Sequence, residues 1–175
     1  MRVSILGNSG SGKSTLARRL ADLFKAPVLD LDTVAWEPGK IAVPRDSSLA
    51  CRDIDQFVAS APAASWIVEG CYGALVQWTL RHQPLLIFLD PGAEQCLAHC
   101  RNRPFEPHKY RTPEDQDSML PALLTWVEDY YTRAGDMSHQ DHQQRFDEYD
   151  GPKLRLAATD EWLRTIEMEV GRERV

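Results

Sequence analysis

The residues best suited to chemistry lie near the start of the chain, at positions 7–14, which read G-x-x-x-x-G-K-S. Glycines at this spacing let the backbone curl so that successive N–H groups point inward at phosphate oxygens. Lys13 adds a positive charge for the β- and γ-phosphates, and the Ser14 hydroxyl is a ligand for Mg²⁺. This phosphate-binding loop predicts a site for a nucleoside triphosphate. The predicted contact residues are Gly7, Ser9, Gly10, Ser11, Gly12, Lys13, Ser14 and Thr15.

The segments on either side of the loop supply the setting that the motif requires. Residues 3–6 are a short apolar run typical of a strand, and Leu16, Leu20 and Leu23 recur at helical spacing after the loop. A helix over residues 13–24 would turn its electropositive N-terminus toward the bound anion. Strand, glycine-rich turn and helix therefore follow one another in the order that phosphate binding needs.

The rest of the chain alternates short apolar runs with amphipathic segments, a pattern typical of parallel strands joined by crossover helices. We predict an α/β fold in three layers, with a five-stranded parallel sheet covered by helices on both faces. A last helix, marked by Trp162, Leu163, Ile166 and Val170, is predicted to pack back on the sheet. The predicted strands cover residues 2–6, 28–32, 66–69, 85–90 and 153–156.

Acidic residues stand at the ends of three predicted strands, where ligands bind in open α/β sheets. Asp30 and Glu69 are the candidates for the carboxylate that Mg²⁺ needs beside the Ser14 hydroxyl. Asp32 lies two residues after Asp30, so on a strand both side chains would share a face, where Asp32 could accept a proton from an attacking hydroxyl. The alternative is a solubilising strand end that leads into a turn. Asp90 precedes Pro91-Gly92 and is interpreted as a turn or helix-start residue.

A basic segment, residues 101–111, stands out in a chain whose formal net charge is −6. Arg101 and Arg103 are predicted to neutralise the charge that develops during phosphoryl transfer, from a lid that closes over the phosphates. The alternative is a solvated loop. Arg133 fits either a second clamp or a partner for a helix C-terminus. His139 and His142 lie in a polar stretch and are interpreted as surface residues.

Composition limits the class of protein. A chain of 175 residues suits a single domain, 1–175, and no apolar run approaches the roughly 20 residues of a membrane span. Met1-Arg2 leads directly into the first strand, so we expect no secretory leader, no membrane partner and a cytoplasmic location. The acidic balance argues against direct binding of nucleic acid. Oligomeric state is left open.

The chain resembles the nucleoside-monophosphate-kinase branch of P-loop proteins, and within it the small bacterial adenylate-kinase-related proteins sometimes labelled DNA topology modulation proteins. The similarity covers residues 1–110 in order and looser segments beyond. Outside the loop it rests on Leu29-Asp30-Leu31-Asp32, Trp66-Ile67-Val68-Glu69-Gly70-Cys71-Tyr72 and Ile87-Phe88-Leu89-Asp90. The resemblance implies strand order 2-3-1-4-5, ATP on the loop and a lid after the fourth strand, here 101–113.

The pair Asp30-x-Asp32 also resembles shikimate kinase and gluconate kinase. There the first acid works near magnesium and the second holds or deprotonates the acceptor hydroxyl, which implies the same roles for Asp30 and Asp32. The expected function is an ATP-dependent kinase that uses Mg²⁺ and phosphorylates a small acceptor. Residues 33–65 and the lid are expected to select the acceptor, which the residues do not identify. The alternative is a regulatory ATPase or nucleotide-binding switch without a small acceptor.

Overall fold

The structure, a computed structural model, describes residues 1–37, 43–106 and 110–157. The strands are β1 (Arg2–Gly7), β2 (Val28–Asp30), β3 (Trp66–Gly70), β4 (Leu85–Leu89) and β5 (Lys153–Leu156). The helices are α1 (Lys13–Phe24), α2 (Asp32–Ala35), α3 (Ser47–Ser60), α4 (Gly73–Leu80), α5 (Ala93–Arg101), α6 (Pro113–Glu128) and α7 (His139–Glu148).

The strands form one sheet in the order β2-β3-β1-β4-β5, with each neighbouring pair parallel. The predicted α/β fold and its strand order are confirmed. The order reverses at β1, which lies between β3 and β4, so the loop that follows β1 stands at the switch point where such sheets bind ligands.

Each face of the sheet carries its own apolar core because successive side chains of a strand point to opposite faces. On one face, Val3 and Ile5 of β1 pack with Leu16 and Leu20 of α1. On the other, β1 and β3 pack against α3 and α4, and Phe146 of α7 joins that core. Helices on both faces explain why β4 is an unbroken apolar run, Leu-Leu-Ile-Phe-Leu.

One predicted strand end is corrected by the structure, and one predicted helix lies outside the residues that it describes. The second strand was predicted to reach residue 32, but β2 ends at Asp30 and Asp32 is the first residue of α2. The predicted last helix, around residues 162–170, lies outside the described residues. Among residues 1–37, 43–106 and 110–157, every helix is too short or too polar to cross a bilayer.

Candidate active site

The phosphate-binding loop turns tightly between β1 and α1. Gly10 and Gly12 have φ angles of 76° and 97°, in the left-handed region that favours glycine. A Cβ on Gly10 would lie 2.3 Å from the carbonyl oxygen of Cys96 on α5, so the loop is pressed against that helix. The Nδ1 atom of His99, also on α5, lies 2.7 Å from the carbonyl oxygen of Gly10. Glycine is therefore required at position 10 by both conformation and space.

Lys13 is held inside the loop. Its side chain is almost completely buried, and Nζ donates a 2.8 Å hydrogen bond to the carbonyl oxygen of Asn8. The Ser11 hydroxyl is also buried and has no hydrogen-bond partner within the described part of the chain. A buried ammonium group and a buried hydroxyl that lacks a partner fit a loop that binds an anion.

Ser14 and Glu69 form the second part of the site. The Ser14 hydroxyl donates a 2.6 Å hydrogen bond to Oε1 of Glu69, which is only 3% exposed. In the sheet, Glu69 of β3 aligns with Ile5 of β1 and with Asp30 of β2. Burial raises the pKa of Glu69 and the nearby Asp30 adds to the effect, whereas Lys13 opposes it.

The oxygens at this edge of the sheet suit a hard divalent cation. A serine hydroxyl and carboxylates are ligands that Mg²⁺ prefers, and Mg²⁺ usually takes only one or two carboxylates because water and phosphate supply the rest. Within the described ranges, no three His, Cys, Asp or Glu side chains group as an all-protein metal site. Ser14, Glu69 and Asp30 therefore have the donor chemistry to hold a magnesium ion together with phosphate and water.

A chain of hydrogen bonds fixes Asp32 beside Asp30. Tyr72, which follows β3 closely, donates a 2.6 Å hydrogen bond to Oδ1 of Asp32. The indole Nε1 of Trp36 donates in turn to the Tyr72 hydroxyl, also at 2.6 Å. The backbone N–H of Asp32 donates to Oδ1 of Asp30 at 2.9 Å. Burial, together with the charge of Asp32, raises the pKa of Tyr72, so its hydroxyl remains a donor.

Comparison with known proteins identifies the family. No family model matches the chain. Over 138 residues the chain is 31% identical to the cytidylate kinase of Haloarcula marismortui, an alignment that covers 67% of this chain and 68% of that protein. The chain belongs to the P-loop, nucleoside-monophosphate-kinase-like family. Members of this family are ATP-dependent kinases, and this protein is one of them.

One more sequence relative and one solved structure agree with the assignment of this P-loop kinase to the family. Over 131 residues it is 27% identical to the shikimate kinase of Prochlorococcus marinus, with 70% of this chain and 69% of that protein covered. The crystal structure of the shikimate kinase of Aquifex aeolicus superposes with a TM-score of 0.56 at 13% identity, covering 99% and 98% of the two chains. The structural likeness shows a shared fold.

The two arginines proposed for the lid differ in their surroundings. Arg101 is the last residue of α5 and is exposed, and no ion pair engages it within the described ranges. Arg103 forms an ion pair with Glu106 at 3.1 Å, with only 23% of its side chain exposed. Although burial alone would lower it, the charge of Glu106 raises the pKa of Arg103. His108 and Lys109, also counted in the basic segment, lie outside the described residues.

The strand argument that paired Asp30 with Asp32 was wrong. Because β2 stops at Asp30, the alternation of side chains along a strand does not apply to Asp32, which begins a helix instead. The two acids nevertheless lie together, because the Asp32 N–H binds the Asp30 carboxylate and Tyr72 binds Asp32 from the other side. Asp30 and Asp32 are therefore held together by a local hydrogen bond and by a contact from Tyr72, not by a shared strand face.

The interpretation of His142 as a surface residue was also wrong, and His139 is only partly exposed. His142 is completely buried, and His139 packs its ring on Tyr130 and Tyr131. Both belong to an aromatic layer between α7 and the end of β4, where His139 lies 3.2 Å from the carboxylate of Asp90. The sequence of α7 is polar, yet one face of this helix packs in the interior.

Asp90 and Arg133 form their hydrogen bonds with residues outside the loop. Asp90 accepts hydrogen bonds from Tyr131 and Arg155. Although burial acts in the opposite direction, these bonds lower the pKa of Asp90. The guanidinium of Arg133 stacks on Trp126 at 3.5 Å and donates to the carbonyl oxygen of that residue, in the last turn of α6. Asp90 lies in the connection between β4 and α5, where it accepts hydrogen bonds from two side chains, and Arg133 binds a helix C-terminus.

Sequence reasoning missed two residues of the site. Asn8 occupies a variable position of the motif, yet its Nδ2 donates a 3.0 Å hydrogen bond to the carbonyl oxygen of Val127 in α6. Its Oδ1 accepts from the backbone N–H of Ser9, so one side chain ties the loop to α6. Tyr72 carried a usable signal, since it follows the end of β3 by only two residues, close to the sheet edge where ligands bind.

Proposed function

We propose that this P-loop kinase is a phosphotransferase that moves the γ-phosphate of Mg-ATP to the hydroxyl group of a small acceptor molecule. One observation carries the proposal: Lys13, the Ser14–Glu69 pair and the Tyr72-held Asp32 all lie at the carboxyl edge of one sheet. Candidate residues for binding the phosphate donor, the cation and the acceptor hydroxyl therefore lie side by side. The names of the shikimate and cytidylate kinase relatives support a small substrate, either a metabolite or a nucleotide.

The nucleotide is assigned to the loop, with main-chain N–H groups of residues 7–15 and the N-terminus of α1 directed at phosphate oxygens. Lys13 exchanges its bond to the Asn8 carbonyl for a phosphate oxygen when nucleotide binds. Ser14, Glu69 and Asp30 are assigned to Mg²⁺, directly or through water. When bound, Mg²⁺ neutralises charge on the phosphates.

Asp32 is assigned to the acceptor hydroxyl, whose proton it accepts as the oxygen attacks phosphorus. The hydrogen bond from Tyr72 fixes one carboxylate oxygen and so limits the rotation of the Asp32 side chain. The acceptor is assigned to the segment 33–65, which follows Asp32. We place the lid at 101–113 within a single domain that spans residues 1–175.

Arg101 and Arg103 are assigned to the charge that develops on the transferred group. Arg101 is exposed and ready to engage, whereas Arg103 must first leave Glu106. An arginine supplied in this way accelerates phosphoryl transfer by roughly 10³–10⁵ in characterised enzymes.

Transfer and hydrolysis are separated by a single-turnover assay with γ-labelled ATP and a panel of hydroxyl metabolites and nucleoside monophosphates. The proposal expects one acceptor to become labelled and to suppress release of inorganic phosphate. Release of inorganic phosphate alone across the panel contradicts it and favours a regulatory ATPase.

Two variants test the assignment of residues. Asp32→Asn should retain ATP binding and lose transfer by at least about 10²-fold, the usual contribution of a positioned base. Asp22→Asn removes an exposed acid from the C-terminal half of α1 and is the matched control. Lys13→Ala should weaken both nucleotide affinity and turnover. Full transfer by Asp32→Asn would remove Asp32 from the chemistry, and unchanged affinity in Lys13→Ala would contradict the loop assignment.

A further inference from the structure

His142 is a completely buried histidine whose two ring nitrogens are both engaged. Nε2 lies 2.9 Å from the carbonyl oxygen of Cys71, and Nδ1 lies 2.7 Å from the hydroxyl of Tyr130. Because a carbonyl only accepts, the ring proton is on Nε2, and Tyr130 donates to Nδ1. Burial lowers the pKa of His142 to about 3, which agrees with a neutral ring.

The carbonyl that His142 holds belongs to the turn after β3, residues 71–74, which we call the acceptor turn. The next residue is Tyr72, whose hydroxyl binds Asp32 and accepts from Trp36. His142 is therefore joined to the proposed base through one peptide unit and one phenol. No charge is moved along this path, so any influence of His142 on Asp32 is geometric.

The acceptor turn receives a second contact from the same side. Asp136 accepts the backbone N–H of Gly73 with its carbonyl oxygen at 3.1 Å, and the N–H of Ala74 with its side chain. These bonds satisfy N–H groups at the start of α4, which would otherwise lack partners. The segment before α7 thus fixes the far end of the turn, and His142 of α7 fixes the near end.

We propose that His142 is a positioning residue for the transfer site: its neutral imidazole fixes the acceptor turn so that the Tyr72 hydroxyl meets Asp32. The consequence for catalysis rests on the function proposed above, whereas the positioning itself does not. Misplacement of a catalytic group by about 1 Å can cost on the order of 10²-fold in rate. Loss of the bond to Cys71 is therefore expected to reduce turnover by at least about tenfold.

Two amide variants of His142 separate positioning from burial. In His142→Gln the longer side chain places an N–H donor where Nε2 stood, so the bond to Cys71 is preserved. In His142→Asn the amide reaches only the place of Nδ1, so the contact with Tyr130 survives and the bond to Cys71 is lost. The two variants have the same chemistry and differ in which contact they keep.

The readout is the indole N–H resonance of Trp36 in the full-length, ¹⁵N-labelled protein without nucleotide, assigned by its absence in Trp36→Phe. This proton is donated to the Tyr72 hydroxyl and therefore reports the position of Tyr72. We expect His142→Asn to move the resonance in the same direction as Tyr72→Phe, and His142→Gln to leave it in place. Affinity for Mg-ATP should remain within about twofold in both variants, because the loop is not altered.

An unchanged Trp36 resonance in folded His142→Asn overturns the proposal, whatever the kinase activity. Equal shifts in both variants, with equal losses of thermal stability, also overturn it, because they assign His142 to packing alone. Should His142→Asn fail to fold, His142→Leu decides: it fills the same space but donates nothing to the Cys71 carbonyl, so the resonance should move. Tyr130→Phe is its control, because it keeps the ring and the bond to Cys71 and should leave the resonance in place. Failure of the wild-type protein to label any acceptor counts against the proposed function only.

Discussion

Buried, neutral His142 should make the protein lose stability as the solution becomes mildly acidic. The folded state holds its pKa near 3, through burial and through the positive charges of Lys13, Arg133 and Arg145, against an ordinary value of 6.5. Between these two values the unfolded chain binds a proton that the folded chain does not. Stability therefore rises with pH across this window and falls as pH drops through 6.5.

The size of the effect follows from the two pKa values. Because the folded-state pKa lies below the whole experimental range, its exact value does not matter at pH 5. Each pKa unit corresponds to about 1.36 kcal/mol, and the loss between pH 7 and pH 5 comes to about 2 kcal/mol. Small domains are stable by about 5–15 kcal/mol, so this loss is easily measured.

The assay is urea unfolding of the wild-type protein and of His142→Gln at pH 7 and pH 5. Other groups titrate in the same range; the raised pKa of Glu69, for instance, stabilises the fold as the pH falls. These contributions cancel in the difference between the two proteins. We expect the free energy of unfolding of the wild type to fall by about 2 kcal/mol more than that of the variant. An equal fall in both proteins would refute the view that His142 is held neutral.

Two further predictions concern the loop. Gly10→Ala forces a Cβ into the Cys96 carbonyl at a φ of 76°, whereas Gly92→Ala adds a Cβ at a similar φ, 92°, with nothing within 4 Å. We therefore expect Gly10→Ala to lower the thermal unfolding temperature more than Gly92→Ala does. Equal losses would mean that the contact with α5 is unimportant. Asn8→Ala removes the buried side-chain donor to the Val127 carbonyl and should cost about 1–3 kcal/mol in urea unfolding; an unchanged free energy of unfolding would mean that this contact does not anchor the loop.

The fold was readable from the sequence because its signals are local. β4 is a continuous apolar run, as a strand covered on both faces must be, and the loop motif stands between a strand and a helix with clear patterns. The strand order came from the resemblance, and the sheet confirms it. The roles of Lys13, Ser14 and Asp32 stay predictions.

The errors arose where contacts between distant parts of the chain determine the local structure or the burial of a residue. Nothing near Asp32 indicates that the strand stops two residues earlier, and nothing near Tyr72 indicates that its hydroxyl will bind Asp32, 40 residues away. His142 lies in the sequence HQDHQQRF, whose mean polarity suggests an exposed helix. Its burial depends on Phe88 and Tyr130, which come from other elements. A buried polar group that finds its partners only in the folded chain leaves no periodic signal.

The segment between the lid and β5 contacts both halves of the proposed reaction. Through Val127, α6 accepts the side chain of Asn8 and so touches the loop assigned to the phosphate donor. Through His142, α7 binds the carbonyl of Cys71 and so touches the acceptor turn. Transfer between two bound molecules requires their reacting atoms to be held in one fixed geometry. Two helices of this segment supply one hydrogen bond each, α6 to the donor loop and α7 to the acceptor turn, so residues far from the motif can help to hold the two proposed binding sites in one geometry.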